Sequence, residues 1–190
     1  PRNVTISGGE PLSQGYEMIH LLEKLKTLDV HITLKTCAGI INRELWSAAL
    51  ELTDSILLQI FTIDKQVWES VSKTPFDIYL QNLYELALSE KPIYIRIPIV
   101  PGFSDSHQTI NNLCQFIKHS LPSTQQPELR GYAPNSSYTN PLFSFRNRTI
   151  TPEKVIELCS LARGVGLEQT HWRGSIRIIE ESQISHYFPD

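Results

Sequence analysis

From Val4 to about Gly166, short aliphatic runs alternate with amphipathic segments, and this alternation restricts the fold more than any other feature. Val4–Ile6, His31–Thr36, Ser55–Phe61, Pro92–Val100 and Glu128–Tyr132 read as strands, each rich in β-branched and aliphatic residues. Between them apolar residues recur at the helical period. Ile19, Leu22, Leu25 and Leu28 share one side of a helix from about Ser13 to Leu28, and Leu45, Ala49 and Leu52 follow an Asn42 cap. Pro75–Ser89 carries Tyr79, Leu83 and Leu86 inward, and Ser106–Ser120 is the next helix. Thr151-Pro152-Glu153 combines an N-cap, a first-turn proline and a first-turn acid, which opens a further helix. Two more short strands are expected in Gln169–Arg173 and Ser175–Ile179.

Strand–helix units with short links predict a parallel sheet with right-handed crossovers. Ser55–Phe61 is almost continuously apolar, as in strands buried on both faces of such a sheet. Helices on one side would curl the sheet into a partial barrel, and helices on both would give an open doubly wound sheet; the periodicity does not choose. No internal repeat and no linker divides the chain, so residues 1–190 read as one α/β domain. The Ala133–Ile150 segment is long, irregular and rich in Asn, Ser and aromatics; its Tyr138, Phe143, Phe145 and Arg146 either contact a macromolecular target or cover the adjacent strand ends.

A chain of 190 residues with 41% hydrophobic and 19% charged residues can bury an ordinary globular core. A formal net charge of -3 gives no electrostatic footprint for nucleic acid. No apolar run reaches the length of a membrane span. Three scattered cysteines fit a reducing cytoplasm better than a disulfide scaffold, so a cytoplasmic location is expected. Asn3, Asn135 and Asn147 stand in glycosylation-type tripeptides, which this location makes coincidental.

Thr5-Ile6-Ser7-Gly8-Gly9-Glu10-Pro11-Leu12 places a strand end, a double-glycine turn, a carboxylate and a proline-opened helix within eight residues. The Gly8–Gly9 backbone can approach a ligand closely, and Glu10 can accept hydrogen bonds from an ammonium. A zwitterionic amino-acid moiety needs both. Read blandly, the same residues are a strand–turn–helix connection with an exposed acid. The segment resembles the GGEP motif of radical S-adenosylmethionine (SAM) enzymes. Arg96-Ile97-Pro98-Ile99-Val100-Pro101-Gly102-Phe103-Ser104-Asp105 is similar to the strand-and-loop signature of their glycyl-radical-enzyme activating branch, typified by the pyruvate formate-lyase activating enzyme. His31–Thr36 and Asp54–Leu58 fall in order at that family's intervening strands.

The resemblance implies a partial (βα) barrel with its site at the C-terminal strand ends. It also implies SAM and a [4Fe–4S] cluster, a deoxyadenosyl radical, and hydrogen abstraction from a glycine of a partner glycyl-radical enzyme. Glu10 with the Gly8–Gly9 backbone would bind the methionyl amino end, while Arg96 and Thr36 would position the remaining polar groups. The family's cluster sits on a CxxxCxxC loop before the GGEP strand. Cys37, Cys114 and Cys159 are too dispersed to form it, so no metal ligand and no catalytic residue is assigned, and the chain reads as a fragment or truncated form. Cys114 and Cys159 follow helical apolar stripes as core residues, whereas Cys37, at a strand end, is either reactive or packed.

Departures from the family pattern gather around the cofactor. Two cation-holding aspartates correspond to Lys35 and Gln59, a lysine to Phe61, and a histidine to the region of Ala133. Lys35 could place its ammonium where the cation would lie, or simply reach to solvent. Decay to a cluster-free binding module and membership of another radical SAM subgroup remain alternative readings. Loss of the preceding strand would leave Asn3–Ser7 as a sheet edge, open to self-association through Val4, Ile6 and the following helix.

Overall fold

The computed structural model describes residues 2–131 and 149–173. Six parallel strands lie side by side in sequence order, β1 (Asn3–Ile6), β2 (His31–Thr36), β3 (Ser55–Gln59), β4 (Ile93–Ile99), β5 (Thr124–Gly131) and β6 (His171–Arg173). Helices α1 (Tyr16–Lys26), α2 (Arg43–Leu52), α3 (Lys65–Val71), α4 (Phe76–Leu88), α5 (His107–Ser120) and α6 (Pro152–Val165) occupy the connections. A sheet that advances one strand at a time, always in one sense, is the partial barrel rather than the doubly wound alternative, whose order reverses.

Burial separates the two sheet faces. Ile32 and Leu34, Ile56 and Leu58, and Ile93, Ile95, Ile97 and Ile99 are fully or almost fully buried among Leu22, Trp46, Ala49, Leu83, Leu86, Leu113 and Ile117 of the helices. Thr33 and Lys35, Leu57 and Gln59, and Arg96 and Pro98 alternate with them and remain half-buried. Strand β3 therefore differs from the expected doubly buried strand. Its Leu57 and Gln59 line an inner face that an unclosed barrel leaves partly open.

Local signals set most helix starts. The Asn42 side chain accepts from Leu45 N at 3.1 Å, Ser106 from Thr109 N at 3.0 Å and Thr151 from Lys154 N at 3.3 Å. Helix α3 was not anticipated, although Asp64 caps it by accepting from Val67 N at 2.9 Å. The segment after Glu10 starts as a 3-10 turn (Pro11–Gln14), and α1 stops at Lys26, two residues short of the expected end. Thr27 folds its hydroxyl onto the Lys24 carbonyl at 2.7 Å and Asp29 takes φ 50°, which turns Leu28 outward instead of inward.

Strand β5 begins at Thr124, four residues before the expected Glu128. Its register against β4 runs Tyr94↔Gln125 and then Arg96↔Glu128, so β5 carries one extra residue there. Pro127, which has no N–H for the ladder, sits within this bulge. Strand β1 pairs with β2 alone among the described residues, so it is an edge in this sheet. Most of Ala133–Ile150, the end of the Glu128–Tyr132 strand and the strand expected at Ser175–Ile179 lie outside the described residues. Among the described residues, no helix is long and apolar enough to cross a membrane.

Candidate functional site

Glu10 is fixed by its neighbours at the C-terminal ends of β1 and β2. The Thr36 hydroxyl lies 2.9 Å from both carboxylate oxygens, Cys37 N donates to Oε2 at 2.8 Å, and Leu12 N donates to Oε1 at 3.3 Å. Thr36 itself accepts from Ala38 N at 3.0 Å, which directs its single proton toward Glu10. A carboxylate offers about four lone-pair positions, and these three donors leave about one for a further donor. The glycines beside it have positive φ, 111° at Gly8 and 57° at Gly9, with open space where a side chain would stand. Backbone conformation, not crowding, is what requires glycine at both.

The loop after β2 that supplies Cys37 N is clamped from below. Asn82, fully buried on α4, donates its amide to the carbonyls of Ala38 and Ile40, each at 2.8 Å. The Thr74 hydroxyl donates to the Gly39 carbonyl at 2.7 Å, and Trp68 Nε1 donates to the Thr74 carbonyl at 2.7 Å. Trp68 stacks on Tyr79 with ring centroids 3.7 Å apart. Phe61 stacks on Trp68 at 5.7 Å and meets Phe103 at the same separation. Phe61, where the resemblance puts a lysine, thus completes an aromatic tier beneath the strand ends. Burial, reinforced by the Glu10 charge, pushes the Cys37 thiol up to about 12. It is a protonated, packed group rather than a thiolate nucleophile.

A second constellation occupies the inner face of β4, β5 and β6. The β5 bulge turns Glu128 toward Arg96, whose Nε donates to Oε1 at 3.0 Å and whose terminal nitrogen reaches Oε2 at 3.5 Å. Arg130 Nε, His171 Nε2 and Arg173 Nε stand 3.9, 3.8 and 4.0 Å from the same carboxylate. Lys35 faces this group from β2. Burial and then the charges of Arg96 and Arg130 depress its pKa, with Glu10 opposing them. Below the Glu128 row lies a cavity of about 240 Å³ lined by Thr5, Thr33, Leu57, Tyr94, Ile95, Glu128 and His171.

The expected site residues therefore divide. Gly8, Gly9, Glu10 and Thr36 come together, but Thr36 is buried and serves Glu10 rather than facing the opening. Lys35, Gln59 and Arg96 share the inner face, with Arg96 already paired to Glu128; the Ala133 position lies outside the described residues. Sequence reading missed Glu128, Arg130, His171, Arg173 and Asn82. The available signal is alternation, since Glu128 with Arg130 and His171 with Arg173 are i, i+2 pairs of polar residues in strands.

A SAM amino-acid end fits the Glu10 turn, with a free acceptor position and a glycine backbone open beside it. A [4Fe–4S] cluster does not fit the cysteines of this chain. Cys114 and Cys159 are buried in α5 and α6 on the helical side of the sheet, with thiols raised by burial, while Cys37 is at the end of β2. Among the described residues, no group of three or more His, Cys, Asp or Glu side chains could hold a metal ion.

Known proteins share this framework. The chain is 33% identical over 134 residues to the pyruvate formate-lyase-activating enzyme of Staphylococcus epidermidis, a match covering 68% of this chain and 53% of that protein. It is 31% identical over 134 residues to the enzyme of the same name from Listeria monocytogenes, covering 68% and 54%. The chain thus spans about half the length of the curated relatives it matches. A crystallised domain of pyruvate-formate lyase-activating enzyme from Bacteroides vulgatus superposes with TM-score 0.71 at 19% identity, over 92% of this chain and 99% of that one. Streptococcus suis SuiB bound to S-adenosylmethionine superposes with TM-score 0.69 at 14% identity, over 98% of this chain and 44% of that one. At such identities the superpositions establish the partial-barrel fold. The sequence profile of the radical SAM superfamily matches residues 1–114, more than half the chain, and with this glycine turn on this barrel the chain belongs to that superfamily.

Proposed function

We propose that the chain is the SAM-binding portion of a glycyl-radical-enzyme activase, whose complete form takes a hydrogen atom from a glycine of a partner enzyme. The observation that carries this reading is Glu10, held by Thr36 and Cys37 N with about one acceptor position left beside the open Gly8–Gly9 backbone. The similarity to pyruvate formate-lyase-activating enzymes supports the activase branch. Bound SAM would supply the carbon on its sulfonium as the reactive group once the complete form delivers one electron from its cluster; this chain's own residues would bind and orient it. Glu10 would accept from the methionyl ammonium, the Gly8 and Gly9 N–H groups lie beside it, and the half-buried inner face would limit water around the reacting end.

Lys35 takes part by charge. A half-buried ammonium on the inner face stands where the family resemblance puts a cation-holding carboxylate, and it can meet the ligand carboxylate directly. Binding would then be the same in sodium and potassium at fixed ionic strength.

The test is calorimetric titration with S-adenosylhomocysteine, which needs no cluster chemistry. A carboxylate–ammonium hydrogen bond contributes about 1.5–3 kcal/mol, so Glu10→Ala should weaken binding by about one to two decades. Equal affinity in both proteins would remove Glu10 from the site.

A further inference from the structure

Strand register sorts the inner-face charges into two tiers. Gln59, Arg96, Glu128 and His171 are successive partners across β3 to β6, and Pro98, Arg130 and Arg173 form the next row toward the C-terminal ends. In the lower tier Arg96 and Glu128 satisfy each other at 3.0 and 3.5 Å, while His171 stands 3.8 Å from the same carboxylate. The upper-tier guanidinium groups have no such bond. Arg130 and Arg173 come within 3.9 and 4.0 Å of the same carboxylate, inside Coulombic range but outside hydrogen-bond distance. Neither makes a side-chain hydrogen bond among the described residues.

Exposure completes the picture. Glu128 and Arg96 side chains are 11% and 18% exposed, whereas those of Arg130 and Arg173 are 46% and 57% exposed. The two guanidinium groups therefore lie between a buried, already paired carboxylate and the opening of the barrel. Lys35 adds a third positive group, facing Arg96 and Arg130. Among the described residues, Glu128 is the acid within ion-pair distance of Arg96, Arg130 and Arg173, and Glu10 acts on Lys35.

We propose that Arg130 and Arg173 form a subsite for a carboxylate group that the substrate carries outside its reacting glycine. Adjacent guanidinium forks in register match a planar carboxylate, each able to donate two parallel N–H groups. A single negative charge also fits the neighbourhood better than a dianion, because Glu128 lies about 4 Å behind the pair. The word substrate rests on reading this barrel as a SAM-dependent enzyme; the capture of a carboxylate does not, and the two fail separately.

The experiment follows the Arg Nε–Hε resonances of the whole chain during titration with N-acetylglycine at constant ionic strength, with neutral N-acetylglycinamide as the control. Arg130 and Arg173 should shift saturably in the millimolar range with the acid and not with the amide. Arg163, whose Nε is committed to the Thr170 carbonyl at 2.8 Å, should not shift. The Arg130→Gln/Arg173→Gln protein, with an otherwise unchanged amide spectrum, should bind the acid about tenfold more weakly or worse. Linear shifts shared by every arginine would overturn the proposal, as would undiminished binding by the double variant. Phosphate binding tighter than N-acetylglycine would overturn the carboxylate assignment. S-adenosylhomocysteine binding without an acid response would break this inference and leave the SAM reading standing.

Discussion

Glu10 and Glu128 are both glutamates on the open side of one sheet, and they are held in opposite ways. Glu10 is surrounded by neutral donors, the hydroxyl of Thr36 at the end of β2, the N–H of Cys37 just after it and the N–H of Leu12 in the 3-10 turn. Glu128 is surrounded by cations from three strands, of which only Arg96 makes hydrogen bonds to it. The first arrangement orients a carboxylate that makes no ion pair among the described residues and has an acceptor position available to a cationic ligand group. The second compensates the carboxylate and leaves positive charge over. One barrel mouth thus offers a negative end at β1–β2 and a positive end at β4–β6, complementary to ligands carrying both signs.

The largest expected effect comes from removing the compensating acid. Glu128→Ala leaves the largely buried Arg96 without its partner, at a cost of about 3 kcal/mol in urea unfolding, the low end for a broken buried pair because Arg96 retains some solvent contact. Adding Arg96→Leu should recover part of that loss. No recovery would mean that Glu128 is held by something other than charge, and the comparison would break.

A smaller effect is expected at the clamp under Glu10. Asn82→Leu strips two buried carbonyls of their donor and should cost about 2 kcal/mol. It should also weaken S-adenosylhomocysteine binding, because the Cys37 N–H that orients Glu10 belongs to the released loop. Lost stability with unchanged ligand affinity would show that the donors around Glu10 do not depend on that clamp.

The smallest effect is a pH dependence far from both sites. Burial alone would raise the Asp54 pKa, but hydrogen bonds from Lys26 Nζ and Ile32 N, at 2.5 and 2.7 Å, bring it below the ordinary carboxylate value. A depressed folded-state pKa stabilises the fold above the unfolded value of roughly 4, and the gain disappears as pH falls through the folded value. Asp54→Asn should lower stability at pH 7 by about 0.5–1 kcal/mol, since the pair with Lys26 is partly exposed, and the deficit should vanish in acid. A deficit that persists at low pH would assign Asp54 a packing role instead. Ligand binding at either end of the barrel should be unaffected.

Much of this was legible in the linear chain because its causes are local. Asn42, Ser106 and Thr151 each cap a helix through a donor three residues on, so sequence spacing is enough to locate them. Gly8 and Gly9 announce a turn because only glycine readily takes their positive φ. Parallel order follows from strand–helix alternation, and the motifs around Glu10 and Arg96 carry the family.

Tertiary structure alone decided what those side chains face. Strand parity puts Thr36 on the face opposite Lys35, with its hydroxyl on Glu10. A one-residue bulge in β5 decides that Glu128, rather than its neighbour Pro127, looks at Arg96, and register across β4, β5 and β6 gathers Arg130, His171 and Arg173 around it. Side chains alternate with period two along a strand, so one added residue reverses the facing of every residue after it. Pro127 marks where the ladder is interrupted, but the register has no local signature in the chain; it is set by paired residues more than thirty positions apart that must share one sheet.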